Sequence, residues 1–141
     1  MVRHNLAFLK HSSLLTHPHA KSFHLTCVPV KKSIQITFVK PDGSKQVVSG
    51  PVGDSMLEIA HANKIDIEGA CGGETACSTC HLYIDDAYFK KLPEISEAEE
   101  DMLDLAAGLK DNSRLGCQVF AAENLDGIVV TMPSEVNNLK G

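Results

Sequence analysis

Residues 71–80 read Cys71-Gly72-Gly73-Glu74-Thr75-Ala76-Cys77-Ser78-Thr79-Cys80, and Arg114-Leu115-Gly116-Cys117-Gln118 follows further along the chain. The first stretch puts three cysteines in one glycine-bearing segment with the spacing C-x5-C-x2-C, and Cys117 lies 37 positions after Cys80. Thiolates are soft ligands, and a set of four suits a zinc ion or an iron–sulfur cluster. Three ligands in one loop and a distant fourth are typical of a two-iron cluster, so the pattern predicts an electron carrier.

The residues between the cysteines fit a loop that wraps tightly around such a group. Glycine adopts backbone conformations that other residues avoid, and Gly69, Gly72 and Gly73 are predicted to supply them. Small side chains let backbone N–H groups approach the sulfur atoms and help set the reduction potential. The small residues expected to do this are Ala76, Ser78 and Thr79.

Zinc is the main chemical alternative. Structural zinc sites usually combine two closely spaced ligand pairs, and here only Cys77 and Cys80 form such a pair. His81 could offer a nitrogen, but direct neighbours in sequence rarely ligate one ion well. A redox dithiol at Cys77 and Cys80 would need a strand–CxxC–helix context that is missing. The fifth cysteine, Cys27, belongs to neither motif, and a disulfide framework is not expected in this chain.

Charge divides the 141-residue chain into two unlike parts. Residues 1–33 hold five Lys and Arg residues and no acid, whereas residues 34–141 hold the other eight of 13 bases and all 18 acids. The acidic part should repel nucleic acid and attract a partner with a basic patch. No apolar run approaches the roughly 18 residues that cross a bilayer, so no membrane partner is expected.

The N-terminal segment resembles an import signal. It is acid-free and basic, with a broken apolar face, which is typical of organelle transit peptides. A basic tail or a misplaced start codon would be the alternatives. We therefore expect a leader over residues 1–32 that directs the protein to the mitochondrial matrix or a mitochondrion-derived organelle. A domain over residues 33–134 and a flexible tail over residues 135–141 should follow.

Hydrophobic periodicity and capping signals predict an α+β domain with a mixed sheet. Asp54 or Ser55 should cap one helix that continues to Asn63, and Ser96 with Glu99 has the form of a capping box for a second helix that reaches Ala107. Strands are predicted over residues 33–40, 45–48, 81–85, 116–120 and 127–132.

The cysteine motifs, His81 and the segment Asp101-Met102-Leu103-Asp104-Leu105-Ala106 with Gly108-Leu109 resemble the adrenodoxin-type [2Fe-2S] ferredoxins. Plant-type ferredoxins use C-x4-C-x2-C instead. The resemblance runs from Ser33 to Pro133. It implies a β-grasp ferredoxin fold, a mixed sheet with a packed helix and a cluster-binding loop, and one [2Fe-2S] cluster that transfers one electron.

The resemblance also implies roles for single residues. Cys71, Cys77, Cys80 and Cys117 match the family's four cluster ligands. His81 matches a histidine that steadies the cluster loop through hydrogen bonds. Arg114 matches an arginine that pairs with a carboxylate of the acidic helix, for which Glu99 is the candidate here.

The acidic helix matches the family's docking surface for basic reductase and oxidase partners. Its acids are Glu97, Glu99, Glu100, Asp101 and Asp104, and Ala98 stands where the family commonly has an acid. An ordinary solvated face is the alternative interpretation. On a helical wheel the residues broadly opposite the acids, and therefore expected to face the core, are Ala98, Met102, Leu105 and Ala106.

Together these features predict a monomeric electron carrier and no catalytic activity of its own. Electrons would come from an NADPH-dependent flavoprotein ferredoxin reductase and pass to the iron–sulfur cluster assembly machinery or a cytochrome P450. Cluster assembly is preferred because it is the more widespread need. The alternative is a structural interaction domain that holds zinc or a redox-silent cluster.

Overall fold

The computed structural model describes residues 30–134. The predicted leader, Cys27 and the predicted tail over residues 135–141 therefore lie outside the described residues. Among the residues described, no helix combines the length and the apolar character that spanning a bilayer requires.

The domain opens with a hairpin formed by the first two predicted strands. Strand β1 (Ser33–Val39) and strand β2 (Lys45–Pro51) pair antiparallel, with Ile36 opposite Val48. Alternation places Ile34, Ile36 and Phe38 in the core, because successive side chains of a strand point to opposite faces. β2 runs three residues beyond the predicted Val48.

Three more strands complete the sheet. They are β3 (His81–Ile84), β4 (Ser113–Leu115) and β5 (Ile128–Thr131). The strand order is β2-β1-β5-β3-β4, in which β1 and β5 run parallel and the other neighbours antiparallel. This mixed sheet confirms the predicted α+β class.

Helix α1 (Met56–Ala62) begins at a capping box. The Ser55 hydroxyl accepts from the Glu58 N–H, and the Ser55 N–H donates to the Glu58 carboxylate, so two otherwise unpaired groups are satisfied. The helix buries Met56, Leu57 and Ile59 in the same core as the inward residues of β1.

Two short helices were not predicted, and one predicted helix is shorter than expected. Helix α2 (Asp86–Phe89) and a 3₁₀ turn (Glu123–Leu125) are additions, and α3 (Glu97–Leu103) ends before the predicted Ala107. The N–H groups of Leu105 and Ala106 donate three residues back, which tightens the chain into turns.

The predicted strand over residues 116–120 is wrong, since β4 ends at Leu115. The Gly116 N–H donates to the Cys80 carbonyl, and the Gly116 carbonyl accepts from the Leu57 N–H. The Gln118 N–H then donates back to Leu115 and closes a turn. These hydrogen bonds take the place of a longer β4 strand. They bring Cys117 to residues 71–80, which we call the cysteine loop.

The predicted core face of α3 is also wrong in part. Ala98 and Leu105 are exposed, and Met102 and Ala106 are only half-buried. The helix instead buries Glu99 and Leu103. The Glu99 carboxylate is buried because it forms an ion pair with Arg114 of β4, as described below.

Candidate metal centre

The cysteine loop follows α1 and precedes β3, and its backbone is unusual at three positions. Gly72 and Gly73 have φ values of 69° and 94°, which glycine adopts without steric cost. Thr75 has φ 55°, and no sequence signal indicated this conformation for a β-branched residue. Gly69, also predicted to supply an unusual backbone conformation, instead allows close packing. A Cβ at this position would lie 2.9 Å from Leu57 Cδ2, which is too close.

The four predicted ligands come together as two pairs of thiols. The Cys71 and Cys77 side chains contact each other through a hydrogen bond, and Cys80 and Cys117 do the same. Cys80 and Cys117 are buried, whereas Cys71 and Cys77 are half-buried. The distant Cys117 thus reaches the loop through the turn that follows β4.

Backbone N–H groups surround the first pair. Burial raises the pKa of the Cys71 thiol, but hydrogen bonds from the Ala76 N–H, the Cys77 thiol and the N–H groups of Gly73 and Glu74 outweigh it and lower the pKa overall. A loop that donates several N–H bonds to one sulfur stabilises the thiolate that a metal requires.

The second pair shares a proton unequally. The hydrogen bond with Cys80 lowers the pKa of Cys117 to about 6 against the effect of burial, and the Gln118 amide and Thr75 N–H assist. The same hydrogen bond, followed by burial, raises the pKa of Cys80. Deprotonation of one thiol is therefore favoured at the expense of the other until a cation binds to both.

These donors fit the chemistry of an iron–sulfur cluster. Four thiols are brought together as two hydrogen-bonded pairs, and the two pairs adjoin because the charge of Cys77 also acts on Cys80. Four cysteine thiolates are the ligand set of a [2Fe-2S] cluster.

Thr79 contributes a hydroxyl that smallness alone did not predict. Its Oγ1 accepts from the Ala70 N–H at 3.0 Å and contacts Cys77 Sγ at 3.1 Å. Ser78 acts through its backbone, because its carbonyl accepts from the His81 N–H at 3.2 Å. These hydrogen bonds hold the loop in place around Cys77.

His81 fastens the end of the loop to the sheet. Its Nε2 lies 2.7 Å from Ser113 Oγ, and the Ala107 backbone bonds to the ring. Ser113 Oγ accepts from the Lys110 N–H at 2.9 Å. Burial lowers the pKa of His81. Sequence reasoning found His81 but not Ser113, since an isolated serine carries no signal of its partner.

Arg114 and Glu99 form the predicted pair. Arg114 Nε donates to Glu99 Oε1 at 2.8 Å and Arg114 Nη2 donates to Glu99 Oε2 at 2.9 Å. Oε1 also accepts from the Leu115 N–H at 2.9 Å. This finding corrects the inclusion of Glu99 among the docking acids: it is 1% exposed and cannot meet a partner.

The remaining acids of α3 and the Asp104 that follows the helix form an exposed group, which we call the acidic face. It consists of Glu97, Glu100, Asp101 and Asp104. Helix α3 carries no basic residue in its last turn. Leu105 and Leu109, which are 57% and 48% exposed, follow these acids along the chain.

Comparisons with known proteins agree on one family. The 2Fe-2S iron–sulfur cluster binding domain matches residues 39–122. A 2Fe-2S ferredoxin of Rickettsia montanensis is 53% identical over 107 residues, which cover 76% of this chain and 96% of the relative. A Saccharomyces cerevisiae protein named adrenodoxin homolog, mitochondrial, is 43% identical over 128 residues, covering 91% of this chain and 72% of the relative.

A solved structure extends the comparison to the fold. The covalent complex of putidaredoxin reductase with putidaredoxin contains a chain that matches with a TM-score of 0.68 and 40% identity. The match covers 72% of this chain and 99% of that one. The fold described above is thus shared with a chain of that solved complex.

Proposed function

Given that the chain belongs to the [2Fe-2S] ferredoxins of the adrenodoxin and putidaredoxin type, we propose that it carries electrons from an NADPH-dependent flavoprotein ferredoxin reductase to the iron–sulfur cluster assembly machinery. The family carries one [2Fe-2S] cluster and consists of electron carriers, not enzymes. We propose the identity of the reductase, its nucleotide and the acceptor. We also propose the residues that serve each step.

The two thiol pairs carry this proposal. Cys71 with Cys77 and Cys80 with Cys117 would each hold one iron. When bound, the cluster supplies a single site that gains and loses one electron. The N–H groups around Cys71 and the Thr75 N–H at Cys117 stabilise negative charge on the sulfurs, which favours the thiolate ligands and the reduced state.

The rest of the predicted site supports the same centre. Gly72 and Gly73 permit the turn of the loop, and Ala76 offers its N–H to Cys71. The bonds of Ser78, Thr79 and His81 fix the loop to itself and to the sheet. Their proposed task is to hold the geometry while the charge of the cluster changes.

The acidic face is the proposed docking surface for the reductase. Electrostatic attraction speeds association, while a small wet interface releases the partner quickly after one electron has passed. Glu97, Glu100, Asp101 and Asp104 are exposed and therefore available to basic side chains of a partner. The complex of putidaredoxin with its reductase supports a reductase as the electron donor by analogy.

We further propose that the carrier is monomeric and acts in the mitochondrial matrix or a mitochondrion-derived organelle. The yeast mitochondrial relative matches 91% of this chain, so the similarity extends into the acid-free residues 1–29. The bacterial relative matches only 76% of the chain, although at higher identity.

The test is a reconstituted electron-transfer chain. The cluster-loaded protein is mixed with NADPH and a ferredoxin reductase, and the bleaching of its visible absorption is followed. The cluster assembly proteins or a cytochrome P450 are then added as acceptors in separate experiments. We expect reduction by the reductase, followed by faster cluster formation on a scaffold protein with cysteine desulfurase. Transfer to a cytochrome P450 alone would overturn the assignment of the acceptor, and absence of reduction would overturn the assignment of the donor.

A further inference from the structure

The side chain of Gln118 lies against the sulfur of Cys117. Its Nε2 is 3.6 Å from Cys117 Sγ and 3.3 Å from the Cys117 carbonyl oxygen, so the amide donates toward both atoms. The Gln118 backbone N–H donates to the Leu115 carbonyl at 2.9 Å. That turn fixes the start of the side chain, and the amide is therefore presented to the sulfur.

Cys117 Sγ has donors of different kinds besides the Cys80 thiol. The Thr75 N–H belongs to the backbone and comes from the cysteine loop, whereas the Gln118 amide belongs to a side chain. Gln118 also lines a cleft of about 180 Å³ together with Cys117, Gly73 and the exposed ring of Phe120. The amide thus lies at the sulfur on the side that opens to solvent.

We propose that Gln118 is a positioning residue that raises the reduction potential of the cluster through its hydrogen bond to Cys117. Reduction adds one negative charge, part of which resides on the ligand sulfurs, so a donor stabilises the reduced form more than the oxidised form. This inference rests on the proposed function, because it takes Cys117 as a ligand.

The test uses Gln118→Leu in the cluster-loaded full chain. Leucine has a similar volume and cannot donate. The reduction potential is measured by redox titration with EPR detection of the reduced cluster. At a fixed solution potential we expect the ratio of reduced to oxidised protein to fall about twofold to tenfold, the range for one net hydrogen bond. A tenfold fall corresponds to about 59 mV for a one-electron couple.

The matched control is Gln46→Leu, which removes an amide that donates to the Asn63 carbonyl at 3.2 Å on a different part of the domain. It should leave the potential unchanged. An unchanged potential in Gln118→Leu with intact absorption and iron content would overturn the inference. So would an equal shift in both variants.

A second measurement covers the case in which Gln118→Leu does not hold its cluster. In the unsubstituted protein, exchange into D₂O should shift the iron–sulfur stretching bands in the resonance Raman spectrum, and Gln118→Asn, with a shorter side chain, should lose part of that shift. Equal shifts in both proteins would overturn the inference. Cys117→Ser separates the two proposals. If this variant keeps the native cluster, the assignment of Cys117 as a ligand fails. If Cys117→Ser loses the cluster while Gln118→Leu keeps the original reduction potential, only the role of Gln118 is rejected.

Discussion

Arg114 and Glu99 form a doubly hydrogen-bonded ion pair in the interior, with side chains that are 3% and 2% exposed. Glu99 belongs to α3 and Arg114 to β4, and the Leu115 N–H adds a third bond to the same carboxylate. Arg114 Nη1 also donates to the Pro93 carbonyl at 3.0 Å. The helix that carries the acidic face is thus fastened to the strand that leads into Cys117.

Removal of one charge from this pair should be strongly destabilising. In Glu99→Gln the Arg114 charge stays buried without its partner, and we expect the free energy of unfolding to fall by about 3–5 kcal/mol. Urea unfolding followed by circular dichroism measures it. Glu123→Gln, at the exposed Lys32–Glu123 pair with 2.9 Å between its charged atoms, is the control and should cost less than about 1 kcal/mol. Equal losses would contradict the assigned role.

The ligand set predicts different outcomes for two cysteine substitutions. Cys117→Ser should lose the cluster or hold it weakly, because one of four thiolates is gone, whereas Cys27→Ser should leave it unaltered. Iron and sulfide content with visible absorption measures the difference. A cluster missing from the Cys27 variant would refute the four-ligand assignment.

The acidic face predicts a kinetic effect that depends on salt. The double substitution Asp101→Asn with Asp104→Asn should raise several-fold the KM that the reductase shows for this protein at low ionic strength. The optical spectrum should stay unchanged. The increase should shrink as salt is added, since exposed charges are screened. Asp42→Asn, at the β1–β2 turn, removes an exposed acid elsewhere and should leave KM unaltered. If the double variant shows the KM of the original protein at low salt, the docking role is refuted.

The contact between His81 and Ser113 predicts a loss of stability near the cluster. Ser113→Ala leaves His81 Nε2 and the Lys110 N–H without their shared buried partner, at an expected cost of about 1–3 kcal/mol. Thermal unfolding and the rate of cluster loss in a chelator should both report it. Ser49→Ala on the exposed side of β2 should change stability by no more than about 0.5 kcal/mol. Similar behaviour of the two variants would count against the contact.

Local signals predicted much of the fold and failed where tertiary contacts took over. Alternation in β1 and the caps at Ser55 and Ser96 depend on neighbouring residues, so those elements start where predicted. Residues 116–120 alternate like a strand, but the Gly116 backbone bonds to Cys80 and Leu57 instead. At α3 the helical wheel placed Leu105 inside, whereas Leu105 is exposed. Glu99 was predicted both as a docking acid and as the partner of Arg114, and only its burial beside Arg114 decides between the two roles.

By itself, the sequence determined the kind of centre this protein holds. The number, type and spacing of the cysteines are properties of the covalent chain, and three cysteines in C-x5-C-x2-C with a distant fourth are the pattern from which the iron–sulfur cluster was predicted. Only the tertiary structure decided how the thiols pair, which acids remain exposed and which side chain donates to Cys117. These depend on contacts between segments remote in the chain, where burial and hydrogen bonding choose among partners that a linear pattern leaves equal.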